Sequence, residues 1–234
     1  MSILVILPTY NELTSLQETV EKTLRLNPEV DILVVDDASP DGTGKLADTL
    51  SIEHRRLSVL HRNSKQGLGP AYLAGFKLAL ERGYNFVVEM DADGSHRPED
   101  LAKLLKHREK GLLVIGSRWI TGGEVANWSR IRVAISSLGN RYASWMLKSK
   151  LKDMTAGFRV YCSELLRAVI AEDVSAHGYS FQVELAARSE RIGKVIEVPI
   201  VFVEREHGES KMSLRIVIEA LWLITKWGIA KRSR

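Results

Sequence analysis

An α/β fold built on a predominantly parallel sheet is what this sequence predicts, and three observations predict it. Short continuous apolar runs recur along the first half of the chain. Helix-length segments with apolar residues on one face separate them. Several runs end in clusters of Asp, Asn, Ser and Gly. A strand buried on both faces reads as an unbroken apolar run, and parallel neighbours need crossover helices to cover those faces.

The first run spans residues 3–7 and leads through a turn into a helical stretch over about 12–26. Residues 32–35 repeat the pattern before a helix over 41–50, with Asp41 placed to cap it. Residues 57–60 precede a helix over 69–82, and 86–90 precede one over 98–110. Residues 112–115 close the series. Pro70 and Pro98 suit first-turn positions, where the missing proline N–H would have no intrahelical partner anyway.

The second half is less regular. It predicts a helix over 129–147, a strand over 156–161, helices over 163–170 and 181–191, a strand over 195–203 and a last helix over 213–230. No linker, repeat or low-complexity segment interrupts the chain. The expected organisation is one domain over 1–211, followed by a helix and basic tail over 212–234.

Composition sets the outer limits. The 234 residues are 45% apolar and 26% charged, the balance of a globular chain with a core rather than a disordered or collagen-like one. A single cysteine, Cys162, excludes an intramolecular disulfide and a thiolate metal cluster, which suits a reducing cytosol. The N-terminus lacks a basic segment and a small-residue cleavage site, so no signal peptide is expected. The net charge of +4 divides into an acidic first half and a basic second half. Such asymmetry fits a metal–nucleotide site facing an anionic partner, or uneven surface charge alone. Nucleic acid is not expected as a partner, for no zinc-finger spacing, basic heptad region or aromatic RNA-binding signature is present.

Open α/β sheets bind ligands beyond the C-terminal ends of their strands. Three such ends carry Pro8-Thr-Tyr-Asn-Glu12, Val35-Asp-Asp-Ala-Ser-Pro-Asp-Gly-Thr43 and Met90-Asp-Ala-Asp-Gly-Ser-His96. A parallel sheet brings these ends to one edge, where carboxylates repel unless a cation compensates. Mg2+ or Mn2+ would do so and leave positions for phosphate oxygens. Taken singly, each aspartate also reads as a loop starter or helix cap. No Walker-type loop is present, and Gly67-Leu-Gly69 lacks a third glycine, Tyr72 standing in its place.

These segments carry a family resemblance. Leu7–Glu12, Val35–Thr43, Lys65-Gln-Gly-Leu-Gly69 and Asp91-Ala-Asp93 resemble family-2 glycosyltransferases of GT-A fold. Gly116-Ser-Arg118, Asn127-Trp-Ser129, Thr155-Ala-Gly-Phe-Arg159 and Arg205…Gly208-Glu-Ser-Lys211 narrow the likeness to polyprenol-phosphate (dolichol-phosphate) mannosyl synthases, over residues 3–211. The resemblance implies a Rossmann-like GT-A domain and a metal-dependent, inverting transfer of mannose from GDP-mannose to a polyprenyl phosphate. It assigns Pro8, Tyr10, Glu12, Val35, Asp37, Asp91, Ala92 and Asp93 to the donor, together with Arg205 and Lys211 on a closing segment. Asp93 and Ser95 take the metal positions, Ser95 where a close relative presents Gln. Arg118, Arg132 and Ser136 take the acceptor phosphate. Asp91, Asp93, Arg118 and Arg132 are the catalytic set. The same motifs leave open UDP-glucose as donor and a non-catalytic, glycosyltransferase-like subunit.

Residue chemistry runs beside the resemblance. At helical spacing Arg132 and Ser136 lie about 40° apart on one face. Ile131, Ala134, Ile135, Leu138, Tyr142 and Trp145 gather on another, to be buried in protein or laid against lipid. The last helix carries three charges, Arg215, Glu219 and Lys226, among apolar residues that include Trp222 and Trp227. It falls short of a transmembrane span, which needs about 20 mostly apolar residues. It reads as an in-plane amphipathic helix, with Lys231, Arg232 and Arg234 attracted to anionic lipid, or as a helix packed on the sheet or a partner. The first alternative implies a peripheral protein on the cytosolic face of a membrane, with a membrane-protein subunit as a further possible partner.

Overall fold

The structure, a computed structural model, describes residues 1–174, 179–204 and 214–232. Strands β1 (Ile3–Thr9), β2 (Val30–Asp36), β3 (Leu57–His61), β4 (Phe86–Glu89) and β5 (Leu112–Ser117) alternate with helices α1 (Leu16–Leu26), α2 (Thr43–Glu53), α3 (Leu68–Glu81) and α4 (Pro98–Lys106). Then come β6 (Glu124–Ala126), α5 (Arg130–Met146), β7 (Arg159–Cys162), α6 (Ser163–Val169), α7 (Tyr179–Ile192), β8 (Lys194–Pro199), β9 (Val201–Val203) and α8 (Leu214–Arg232). The main sheet runs β3-β2-β1-β4-β7-β5-β8. All its pairings are parallel except those of β7 with β4 and β5. The expected α/β class and mostly parallel sheet are therefore present.

Burial explains the elements. Ile3–Leu7 of β1 are all buried, as are all residues of β4, β5 and β7, so these strands are mostly apolar, with the buried Glu89 and Arg159 as charged exceptions. In α1 the buried residues Leu16, Thr19, Val20, Thr23 and Leu24 follow helical spacing and form one stripe. Pro98 opens α4, Glu99 and Asp100 lie in its first turn and Lys103 and Lys106 in its last, complementing the helix dipole. Helix α3 lies so close to the sheet that a Cβ at Gly75 would come within 2.8 Å of the Ile6 side chain.

The departures from expectation have local causes. The first helix starts at Leu16, because Glu12 O accepts from Ser15 N (3.2 Å) and Leu16 N (3.0 Å) in a preceding turn. Asp41 does not cap α2. Gly42 holds the cap position at φ 97°, and the Asp41 carboxylate accepts instead from Thr43 N (3.0 Å), Thr43 Oγ1 (2.6 Å) and Leu13 N (3.3 Å). The single strand expected over 195–203 is two strands in two sheets. Pro199 offers no N–H, and beyond it Ile200 bridges both sheets, donating to Ser117 O (3.2 Å) and accepting from Glu124 N (3.0 Å). The three residues of β9 then pair with β6, too short to show in the hydropathy pattern.

Helix α8 packs on α5 and α7. Gly228 permits the approach, since a Cβ there would lie 2.8 Å from Met146 O, and Tyr142 Oη pairs with Thr225 Oγ1 at 2.6 Å. Leu221, Trp222 and Ile229 of α8 stay exposed, as do Ile131, Ile135, Leu138 and Trp145 of α5. The apolar face foreseen on α5 is thus largely outside the core. Among the described residues, no helix is long and apolar enough to cross a membrane.

Candidate active site

The ends of β1, β2 and β4 meet at one edge, and hydrogen bonds tie their loops together. Pro8 and Val35 are partners in the β1–β2 register. Asp36 accepts from Thr9 Oγ1 (3.1 Å), Ser39 Oγ (2.6 Å) and Ser39 N (3.2 Å). Asp37 accepts from Arg62 Nη1 (2.5 Å) and from Gln66 N and Gly67 N (2.8 Å each). Its carboxylate is therefore the organiser of the β3–α3 loop. Glu12 N donates to Thr43 Oγ1 (3.0 Å) and Asn11 N to Ser39 Oγ (3.1 Å). Asn11 (φ 60°) and Ala38 (φ 58°) adopt the left-handed backbone region that most side chains avoid, strain that these cross-loop bonds hold in place. Tyr10 lies beside them with Lys65 Nζ 3.8 Å from its ring centroid.

The acidic pair follows β4. Asp91 N donates to His96 Nδ1 (2.9 Å), Tyr72 Oη donates to Asp91 Oδ1 (3.3 Å) and Ser95 N donates to Asp93 Oδ1 (3.0 Å). Ala92 is buried, and its carbonyl accepts from Thr19 Oγ1 of α1 (3.2 Å). Burial drives the His96 pKa below its ordinary value, against the upward pull of Asp91 and Asp93. The ring is thus neutral at physiological pH, and accepting at Nδ1 places its proton on Nε2. Stacking on Phe158 with centroids 4.9 Å apart holds it there. Burial also pushes the Tyr72 hydroxyl well above the usual phenol range, helped by Asp91, so it stays a donor. Sequence reasoning assigned no role to His96 or Tyr72, whose signal was only their proximity to the acidic motif.

Beneath them Glu89 is fully buried, 3.9 Å from Arg159 Nε. Burial raises its pKa to about 8, with Arg159 and Gln182 opposing and Asp91 adding to the rise. Arg159 itself braces the preceding turn by donating to Ala156 O (2.7 Å), Met154 O (2.8 Å) and Tyr161 Oη (3.2 Å).

The cationic side sits at the end of β5 and the start of α5. Arg118 donates to Asp153 Oδ2 through Nε (2.8 Å) and to Oδ1 through Nη2 (2.7 Å), and Asp153 Oδ2 also accepts Arg118 N (2.9 Å). Arg118 Nη2 reaches Thr155 Oγ1 (2.8 Å) as well. Asn140 ties this cluster to α5 by donating to Thr155 Oγ1 (2.9 Å) and to Ser136 O (3.0 Å). Arg132 stacks over Trp128 and is ion-paired with Glu204. Asp153, Trp128 and Glu204 are site residues that sequence reasoning did not assign. Arg205 and Lys211 lie outside the described residues.

Among the described residues, no group of three or more His, Cys, Asp or Glu side chains could hold a metal by itself. The Asp93–Ser95 turn nevertheless suits a divalent ion that completes its shell with phosphate oxygens. Ser95 Oγ is buried without a hydrogen-bond partner beside the acidic pair, an orphaned oxygen of the hard type such ions take.

The described part of the site therefore sets carboxylates at the ends of β1, β2 and β4 and arginines at the end of β5 and the start of α5. Residues 4–170 match the family described as glycosyl transferase family 2. The chain belongs to that family and is a glycosyltransferase. It is similar over nearly its whole length to undecaprenyl-phosphate mannosyltransferase of Micrococcus luteus, at 52% identity over 233 residues, 99% of this chain and 96% of that protein. Polyprenol monophosphomannose synthase of Mycolicibacterium smegmatis is 49% identical over 232 residues, 98% of this chain and 88% of that protein. Among solved structures, a mannosyltransferase from Pyrobaculum calidifontis in complex with GDP-Man and Mn2+ superposes with a TM-score of 0.61 at 19% identity, covering 97% of this chain and 72% of that one. Glucosyl-3-phosphoglycerate synthase from Mycobacterium tuberculosis, in complex with Mn2+, UDP-glucose and phosphoglyceric acid, gives 0.67 at 20% identity, covering 96% and 80%. These two likenesses speak for the fold, which is the GT-A type expected.

Proposed function

We propose that the protein transfers a mannosyl group from GDP-mannose to a polyprenyl monophosphate of dolichyl type, with inversion and with Mg2+ or Mn2+. The observation that carries this reading is the near-full-length likeness to the Micrococcus luteus enzyme. The site chemistry supports it.

In this reading Pro8, Tyr10, Glu12, Val35 and Asp37 receive the nucleotide at the ends of β1 and β2, on loops that Ser39 and Thr43 tie together. Asp91 and Ala92 face the donor sugar and diphosphate. Asp93 and Ser95 hold the ion, which when bound neutralises charge on the departing diphosphate. Arg205 and Lys211 are proposed as further phosphate contacts. The acceptor phosphate has a second pKa of about 6 and is mostly a dianion at neutral pH, so the chain needs no general base for it. Arg132 and Ser136 orient that dianion, with Arg118, held in place by Asp153, as a further acceptor-phosphate contact. A phosphate oxygen then attacks the anomeric carbon as the bond to the nucleotide diphosphate breaks.

The lipid acceptor asks for a membrane surface. The exposed apolar residues of α5 and α8 are proposed to meet its cytosolic face or a membrane-protein subunit. A second reading, glucosyl transfer from UDP-glucose, is kept because a neighbour of the same fold binds that donor.

The test is a donor panel with metal and a short-chain polyprenyl phosphate, reading lipid-linked sugar. Product from GDP-mannose supports the proposal. Product from UDP-glucose alone replaces the sugar and keeps the acceptor, and no product from a folded sample favours a non-catalytic subunit.

A further inference from the structure

The small β6–β9 sheet has a use that its size conceals. Its strands end side by side, with Ala126 opposite Val203, and Glu204 N donates to Ala126 O at 3.2 Å. Trp128 follows one strand and Glu204 the other, so the sheet mounts both residues around Arg132. The Arg132 guanidinium carbon lies 4.0 Å from the Trp128 ring centroid, and Nη1 is ion-paired with Glu204. Ser129 Oγ caps α5 by accepting Arg132 N (3.3 Å), which fixes the base of the side chain. Two donors in this cluster, Arg132 Nε and Trp128 Nε1, are buried without a hydrogen-bond partner.

Buried donors left unpaired are costly and mark a place where an acceptor is missing. Stacking engages the face of a guanidinium and leaves the N–H groups of its edge for an anion. The Glu204 carboxylate already holds part of that edge. Its side chain is 39% exposed and that of Arg132 20%, so the pair is of the weak, solvent-screened kind. A phosphomonoester brings nearly twice the charge and three acceptor oxygens.

We infer that Glu204 is an internal stand-in for the acceptor phosphate on Arg132, displaced when a phosphomonoester binds, while Trp128 keeps the guanidinium in place through the exchange. The inference rests on the acceptor reading of Arg132 given above. It makes Glu204 an internal competitor that tunes how tightly the headgroup is held. A ligand must outcompete a carboxylate to gain Arg132, which a dianionic headgroup does and a neutral prenol does not.

The test is calorimetric binding to the full chain with three probes: farnesyl phosphate, farnesol and inorganic phosphate. Glu204→Gln is expected to tighten farnesyl phosphate about fivefold, equivalent to about 1 kcal/mol, and to leave farnesol unchanged. Inorganic phosphate tightens in parallel if the headgroup alone does the displacing. The gain should vanish in an Arg132→Gln background, and Glu204→Ala should repeat it should the amide introduce contacts of its own. Unchanged or weaker farnesyl phosphate binding in both Glu204 variants overturns the inference and makes Glu204 a support for Arg132. If Arg132→Gln binds farnesyl phosphate as well as the unchanged chain does, the acceptor reading of Arg132 falls and the inference with it. If the unchanged chain binds no farnesyl phosphate, the acceptor assignment of the whole protein falls as well.

Discussion

The two halves of the site are built in opposite ways. On the donor side, carboxylates are anchored chiefly by backbone N–H groups and small hydroxyls, with an arginine added at one of them: Asp36 by Ser39 and Thr9, Asp37 by Gln66 N, Gly67 N and Arg62. On the acceptor side, arginines are held against acids and rings from distant parts of the chain: Arg118 by Asp153, Arg132 by Glu204 and Trp128. The first construction fixes loops and leaves Asp91 and Asp93 presented at the edge. The second pairs each cation with an acid of the chain, one pair buried at Arg118 and one partly exposed at Arg132. In the proposed reading, the difference amounts to a braced cradle for one substrate and an exchangeable counter-charge for the other.

That contrast can be broken first at Asp153. Arg118 and Asp153 are both buried and bonded twice through their side chains. Removing one charge of such a pair strands the other, so Asp153→Asn should cost about 3–5 kcal/mol of stability. Urea unfolding measures it, and a loss under about 1 kcal/mol would class Arg118 with solvent-screened surface pairs.

Asp93→Asn acts on the donor side and should behave oppositely. Its carboxylate bonds locally to Ser95 N, which an amide oxygen can still accept. Turnover should fall about 10²–10³-fold, or about 3–4 kcal/mol in the barrier, with the melting temperature nearly unchanged. Measurement across a metal titration checks the assignment. Near-normal turnover at limiting metal removes Asp93 from the ion.

A smaller effect is expected under the acidic pair. Glu89 titrates at about 8 in the fold against an ordinary 4.5, chiefly because it is buried. A carboxyl with a raised folded pKa favours folding fully below its ordinary pKa, and that advantage is lost as pH rises toward the folded value. The protein should therefore lose about 1–3 kcal/mol between pH 6 and 8 that Glu89→Gln does not lose. Arg159 does not need the charged form, since three oxygens already accept from it. Parallel pH–stability curves for the two proteins would refute the raised value.

What was legible in the sequence follows the same division. The β1–β5 series and the donor loops could be read because their signals are local: an apolar run, then a polar cluster, then a periodic helix. Asp41 was misread as the α2 cap because an Asx-type turn and a helix cap use the same residue type in nearly the same place. The acceptor partners were illegible because they are distant in sequence, Arg118 lying 35 positions from Asp153 and Arg132 72 from Glu204. Strands β6 and β9 are three residues each and leave no periodicity to find. Arg132 and Ser136 were found through the resemblance, while the Trp128 face and the Glu204 charge beside Arg132 needed the fold.

The central claim is that both substrates meet at this edge and that the acceptor phosphate attacks the sugar directly, the chain supplying no nucleophile. The anomeric configuration of the lipid-linked product tests it most directly, read by NMR from the one-bond carbon–hydrogen coupling at the anomeric centre. The account predicts inversion, an α-linked nucleotide donor giving a β-linked mannosyl phosphate. A retained, α-linked product would require either a second displacement or attack on the leaving-group face, and would contradict direct in-line attack by the acceptor phosphate.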